Sequence, residues 1–149
     1  MDETNLETTP LHQMNPESRF SELVADYAKY RPSYPAAAID KILEGLENRG
    51  QLVAADIGAG TGSVSIEIAR LSKTSQVFAI EKTAMGSALI EQNCQRLGIT
   101  NVTSINGSAP DVLKDLPTPN RIFIGGSGGN LHSILDYCDT RLDLDGILV

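Results

Sequence analysis

The chain has 149 residues, of which 41% are hydrophobic, enough for one ordinary globular domain and too few for two. Its formal net charge of −7 argues against a general affinity for nucleic acid or for acidic membranes, leaving room only for a local basic patch. Cys94 and Cys138 stand alone, without a close-spaced pair or a nearby histidine pattern, so neither a disulfide framework nor a zinc site is expected, and no metal is assigned. No basic-then-apolar leader opens the chain and no stretch approaches membrane-spanning length, which points to the cytoplasm.

Residues 1–16 are polar and acidic without apolar periodicity and read as a disordered leader. Residues 17–50 read as a helical lead-in: a weakly amphipathic stretch from Phe20 to Tyr30, then Arg31-Pro32-Ser33-Tyr34-Pro35, whose prolines stop a helix. Pro35 can open the next helix, with Ile39, Ile42, Leu43 and Leu46 at helical spacing before Gly50. From residue 51 to 149 short β-rich runs alternate with longer helical ones. Strands are predicted at Leu52 to Ile57, Val77 to Ile80, Val102 to Ile105 and Ile122 to Ile124, with a fifth starting in Gly146-Ile147-Leu148-Val149. Helices are predicted from about Ser63 to Leu71 and from about Ala84 to Leu97, closed by Gly98. A short helix opens at Pro110, and a last one carries Leu131, Ile134, Leu135, Cys138 and Leu142. Each cysteine falls on the apolar stripe of its helix, as a small core hydrophobe would. This alternation describes an α/β fold with a mostly parallel sheet and helices on both faces.

Ligands of such sheets bind beyond the carboxyl ends of the strands, where the strand order reverses. At the first of these ends stands Asp56-Ile57-Gly58-Ala59-Gly60-Thr61-Gly62-Ser63, in which alternating glycines let the backbone turn tightly and approach a ligand. The helix that follows offers its positive N-terminal end. A dinucleotide fingerprint wants glycine or alanine three residues after its second glycine, and Ser63 stands there instead. Asp56, two residues before the first glycine, can accept from the ammonium group of a methionine moiety, directly or through water. The turn therefore reads as a site for S-adenosyl-L-methionine, with Asp56, Gly58, Gly60, Thr61 and Gly62 as cofactor-binding residues. Glu81 ends the second strand and can accept both ribose hydroxyls. Ser108 and Ala109, in Gly107-Ser108-Ala109-Pro110, frame the adenine, although the same stretch also reads simply as a helix start.

The loop Gly125-Gly126-Ser127-Gly128-Gly129 lies where the methyl group and its acceptor should meet, so Gly125, Gly126, Ser127 and Gly128 are assigned to the substrate. No Ser-His-Asp set or paired carboxylates stand out, and His132 reads as a surface histidine, so no catalytic residue is named. Methyl transfer needs few, because holding a nucleophile in line with an activated methyl supplies most of the rate.

From about Ala55 to Val149 the chain resembles the decarboxylating precorrin carbon-15 methyltransferases of cobalamin biosynthesis. The resemblance rests on Asp56-Ile57-Gly58-Ala59-Gly60-Thr61-Gly62-Ser63-Val64-Ser65-Ile66-Glu67, on Ala79-Ile80-Glu81, on Gly107-Ser108-Ala109-Pro110 and, most specifically, on Ile122 through Gly129. It implies a Rossmann-like class I S-adenosylmethionine-dependent methyltransferase that methylates a tetrapyrrole carbon while an acetate side chain loses carbon dioxide. That substrate is rich in carboxylates, and Lys29, Arg31 and Arg121 are candidate local cations, although ordinary surface charge is the favoured role for any one of them. Residues Ser18 to Pro35 resemble instead the lead-in of small-molecule methyltransferases of the ubiquinone-biosynthesis type, which implies that Tyr27, Tyr30 and Arg31 line the site.

Proteins of this fold add a final antiparallel hairpin, and the family continues past the equivalent of Val149. The expectation is therefore a domain over 51–149 that lacks the C-terminal hairpin, with an uncovered apolar edge that favours either self-association as a homo-oligomer or marginal stability. Asn120 replaces an acid usual in the family, with a mild effect expected. Three readings follow: a precorrin methyltransferase, a methyltransferase for a smaller acceptor such as a quinone precursor or carboxylic acid, and a truncated, inactive cofactor-binding domain.

Overall fold

In a computed structural model of the chain, the structure describes residues 51–149 together with Ala37, Asp40, Lys41 and Glu44. The expected leader over 1–16, and with it Tyr27, Lys29, Tyr30 and Arg31, lies outside the described residues, as does most of the lead-in over 17–50. The described order is β1 (Val53–Ile57), α1 (Ser63–Leu71), β2 (Gln76–Glu81), α2 (Ala84–Leu97), β3 (Val102–Asn106), a 3-10 turn (Asp111–Leu113), β4 (Arg121–Ile124), α3 (Leu131–Arg141) and β5 (Ile147–Leu148). The five strands form one sheet in the order β3-β2-β1-β4-β5, and each neighbouring pair is parallel. The chain works outward from β1 to β3, then crosses back to lay β4 on the other side of β1. The order thus reverses between β1 and β4, which opens a crevice at their carboxyl ends.

Strand alternation decides which helix covers which face. Ala54 of β1 and Val77 of β2 point to one side, where Val64, Ile68 and Ala69 of α1 complete a cluster with Leu52. Ala79 joins Ile66, Ile90 and Cys94 on that same side, under α2. Ala55, Ile57, Ile80 and Ile122 point to the opposite side and pack against Leu113, Ile134 and Cys138. Both faces of β1 are covered, which is why its sequence reads as a nearly continuous apolar run. Burial pushes the Cys94 and Cys138 thiols up from their ordinary pKa, as suits residues that fill the core.

Two elements depart from expectation. The helix predicted at Pro110 is only the three-residue 3-10 turn, because Pro117 and Pro119 force the chain back to extended backbone within a few residues. Leu113, fully buried, nevertheless plugs the sheet there. The predicted stripe of α3 buries only Ile134 and Cys138, while Leu131 and Leu135 remain 45% and 39% exposed.

The amino end of the sheet is tied by polar groups. Asn120 Oδ1 accepts from Val53 N (3.1 Å) and its Nδ2 donates to Gln51 O (3.3 Å), the second of which an acid could not do. Arg121, only 1% exposed, donates to the carbonyls of Asn120 and Glu44. It begins β4, at the end of the sheet opposite the crevice, so it is not among the cations that can meet a substrate there. This corrects the sequence expectation. Among the described residues no helix is long and apolar enough to cross a membrane.

Candidate functional site

Strand parity places Asp56 on the α1 side of the sheet, beneath the start of that helix. Gly62 occupies the N-cap position of α1 with φ +80° and has no side chain to cap the helix. Asp56 supplies the missing cap from the neighbouring strand: its Oδ2 accepts from Ser65 N at 3.1 Å and from Ser65 Oγ at 2.5 Å. The carboxylate also sits favourably at the positive end of the helix.

The turn itself runs through three left-handed glycines, Gly58, Gly60 and Gly62, at φ +72°, +60° and +80°. Gly58 N and Ala59 N both donate to Ile80 O, at 2.9 and 3.0 Å, fixing the turn to the end of β2. Across the crevice, Gly125 N and Gly126 N both donate to Ile57 O, at 2.9 and 3.2 Å, so the second glycine loop is fixed to the end of β1. The two loops consequently pack backbone against backbone. A Cβ placed on Gly58 would lie 2.5 Å from Gly126 O and 2.8 Å from Gly126 Cα.

Glu81 links the first turn to the head of α2. Its Oε2 accepts from Gly60 N (3.0 Å), and its Oε1 accepts from both the amide and the hydroxyl of Thr83 (2.9 Å each). Thr83 Oγ1 in turn accepts from Gly86 N, capping α2. Gly86 leaves room for this arrangement, since a Cβ there would lie 2.5 Å from Glu81 Cγ. On the far side, Asn130 Nδ2 donates to Ala109 O at 3.1 Å, joining the loop after β4 to the loop after β3.

These loops enclose a cleft of about 270 Å³ at the carboxyl ends of β1 to β4. Of the residues singled out from the sequence, Gly58, Glu81, Ser108, Ala109, Gly126, Ser127 and Gly128 line it. Asp56, Gly60, Thr61, Gly62 and Gly125 instead build the turns that shape it. Lys82, Thr83 and Asn130 line it as well and were not anticipated. Thr83 could have been found from its place three residues before Gly86 at a helix start, the usual capping position. The donor set suits an adenosine derivative: one acid at the end of β2 for hydroxyl groups, apolar walls from Ile57, Ile80 and Ala109, and a glycine turn with open space in front of Gly60.

A family model described as a precorrin methyltransferase domain matches residues 37–149. The chain belongs to this precorrin methyltransferase family. It is 39% identical over 94 residues to the cobalt-precorrin-6B C(15)-methyltransferase (decarboxylating) of Salmonella typhimurium, an alignment covering 63% of this chain and 48% of that protein. The chain thus spans about half the length of the curated relatives it matches. The crystal structure of precorrin-6y C5,15-methyltransferase from Geobacter metallireducens superposes with a TM-score of 0.69 at 40% identity, over 76% of this chain and 58% of that one. A SAM-dependent methyltransferase from Geobacter sulfurreducens, solved with S-adenosyl-L-homocysteine, shares the fold at a TM-score of 0.63 and 19% identity, covering 82% and 51% of the two chains. The parallel sheet is therefore the Rossmann-like methyltransferase fold expected from the sequence.

Proposed function

We propose that the chain binds S-adenosyl-L-methionine in the cleft and transfers its methyl group to a tetrapyrrole carbon of a precorrin, with loss of carbon dioxide from an acetate side chain. The observation that carries this reading is the packing of the two glycine loops, which brings the turn after β1 and the loop after β4 to one cleft at the switch point. Membership of the precorrin methyltransferase family supports the choice of acceptor.

In this reading Glu81 accepts from the ribose hydroxyls, while Ser108 and Ala109 border the adenine. Gly58, Gly60, Thr61 and Gly62 present the turn to the methionine moiety, and Asp56 serves it by holding the turn against α1. Gly125, Gly126, Ser127 and Gly128 admit a broad, flat acceptor because they offer no bulky side chain, and the Ser127 hydroxyl can orient it. When bound, S-adenosyl-L-methionine supplies an activated methyl. The chain's own contribution is then to hold the acceptor carbon in line and keep water out.

Titration with S-adenosylhomocysteine, followed by incubation with labelled cofactor and cobalt-precorrin-6B, tests the proposal. Saturable binding and label in the tetrapyrrole are expected, and binding without transfer to that acceptor would refute the proposed reaction. Glu81→Ala should weaken S-adenosylhomocysteine about ten- to hundredfold, since it removes a charged acceptor and frees the Gly60 amide. Calorimetry reads this directly, and an unchanged affinity would remove Glu81 from the site.

A further inference from the structure

Among the described residues, the cleft-lining side chains include one acid, Glu81, and one cation, Lys82. They follow each other at the end of β2 but go separate ways. Glu81 turns back to Gly60 and Thr83, as above. Lys82 extends toward the acceptor loop, its Cδ lying 3.9 Å from where a Cβ on Gly128 would stand. Lys41, Arg70 and Lys114 are each paired with an acid three residues away on their own segment. Lys82 has no ion-pair partner among the described residues. Its aliphatic stem thus runs beside the loop after β4, within reach of both ends of the cleft, and the side chain is exposed.

The chain carries a formal net charge of −7, so a polycarboxylate acceptor approaches against long-range repulsion. A cation inside the cleft both offsets that repulsion locally and fixes the orientation of the acceptor. We propose that Lys82 receives a carboxylate of the methyl acceptor and selects for an acidic tetrapyrrole; this rests on the function proposed above. The carboxylate it holds is one that the product retains. A carboxylate leaving as carbon dioxide loses its charge on the way to the transition state, so an ion pair to that group would stabilise the ground state and slow the reaction.

S-Adenosylmethionine also carries a carboxylate, and the test must separate the two sources. Lys82→Met removes the charge at similar length, and Lys82→Arg retains it. Because Lys82 is exposed, neither disturbs the core. The probes are a water-soluble tetrapyrrole octacarboxylate followed by fluorescence quenching, S-adenosylhomocysteine, and 5′-methylthioadenosine, which lacks the amino-acid portion. Lys82→Met should weaken the octacarboxylate about five- to tenfold and flatten the salt dependence of its binding, with Lys82→Arg close to the parent protein. Both nucleosides should bind as before. If Lys82→Met binds the octacarboxylate unchanged, the assignment is wrong while the proposed function stands. If it loses S-adenosylhomocysteine but not 5′-methylthioadenosine, the partner is the cofactor's carboxylate, which also overturns it. If the parent protein binds the nucleosides and no tetrapyrrole carboxylate, the proposed acceptor and this assignment fall together.

Discussion

Gly58→Ala should destabilise the protein by about 3–5 kcal/mol, whereas Gly60→Ala, two residues along the same turn, should cost only about 1–2 kcal/mol. Both glycines adopt left-handed backbone, at φ +72° and +60°, so both replacements incur the strain of an L-residue in that region. They differ in what the new methyl meets. At Gly60 it meets nothing within 4 Å among the described residues. At Gly58 it would lie 2.5 to 2.8 Å from three backbone atoms of Gly126, and backbone cannot rotate aside as a side chain can. Relief requires the loop after β4 to move away from β1, which breaks the bonds from the Gly125 and Gly126 amides to Ile57 O. Denaturant unfolding measures the first effect. S-adenosylhomocysteine binding and the seating of the loop after β4 should be lost together in Gly58→Ala, because one contact positions both sides of the cleft. Equal costs at the two positions would show that the loops do not depend on each other.

That contact also marks the limit of what the sequence discloses. Each glycine loop is legible alone: apolar runs end at Ile57 and Ile124, and glycines follow. Their mutual packing depends on β4 lying beside β1, a sheet order that no local pattern encodes. The ends of α1 and α2 match the expectation because Gly62, Thr83 and Gly98 are local stop and start signals. Lys82 and Asn130 escaped because single polar residues beside strand ends carry no periodicity. Arg121, buried and neither a surface charge nor a cleft cation, is a different case. It precedes the apolar run of β4, so strand direction alone places it at the amino end, away from the ligand. Helical spacing shows which side of α3 is apolar but not how much of it meets the sheet: Ile134 and Cys138 join Ala55, Ile57 and Ile122, while Leu131 and Leu135 stay at the surface.

Asp56→Ala should cost about 3–4 kcal/mol and Asp56→Asn about 1–2 kcal/mol, although the sequence alone presents Asp56 as a ligand-binding acid. The carboxylate is 1% exposed, and its partner Ser65 is fully buried. Alanine leaves the Ser65 amide and hydroxyl without that acceptor in a dry position, and a buried donor left unpaired costs more than its bond contributed. Asparagine keeps a carbonyl oxygen for the amide of Ser65 but loses the charge that favours the helix N-terminus. Ser65→Ala removes only the hydroxyl bond, and a double-mutant cycle between the two sites should show positive coupling of about 1 kcal/mol. Ligand binding distinguishes the two ways in which Asp56 would serve the cofactor under the proposed function. If it acts by seating the glycine turn on α1, Asp56→Asn weakens S-adenosylhomocysteine and 5′-methylthioadenosine by the same factor, because both rest on that turn. A direct or water-mediated bond to the methionine ammonium would weaken S-adenosylhomocysteine alone. The equal loss is the expected result, since the carboxylate is 1% exposed, is tied through Oδ2 to the start of α1 and is not among the residues that line the cleft.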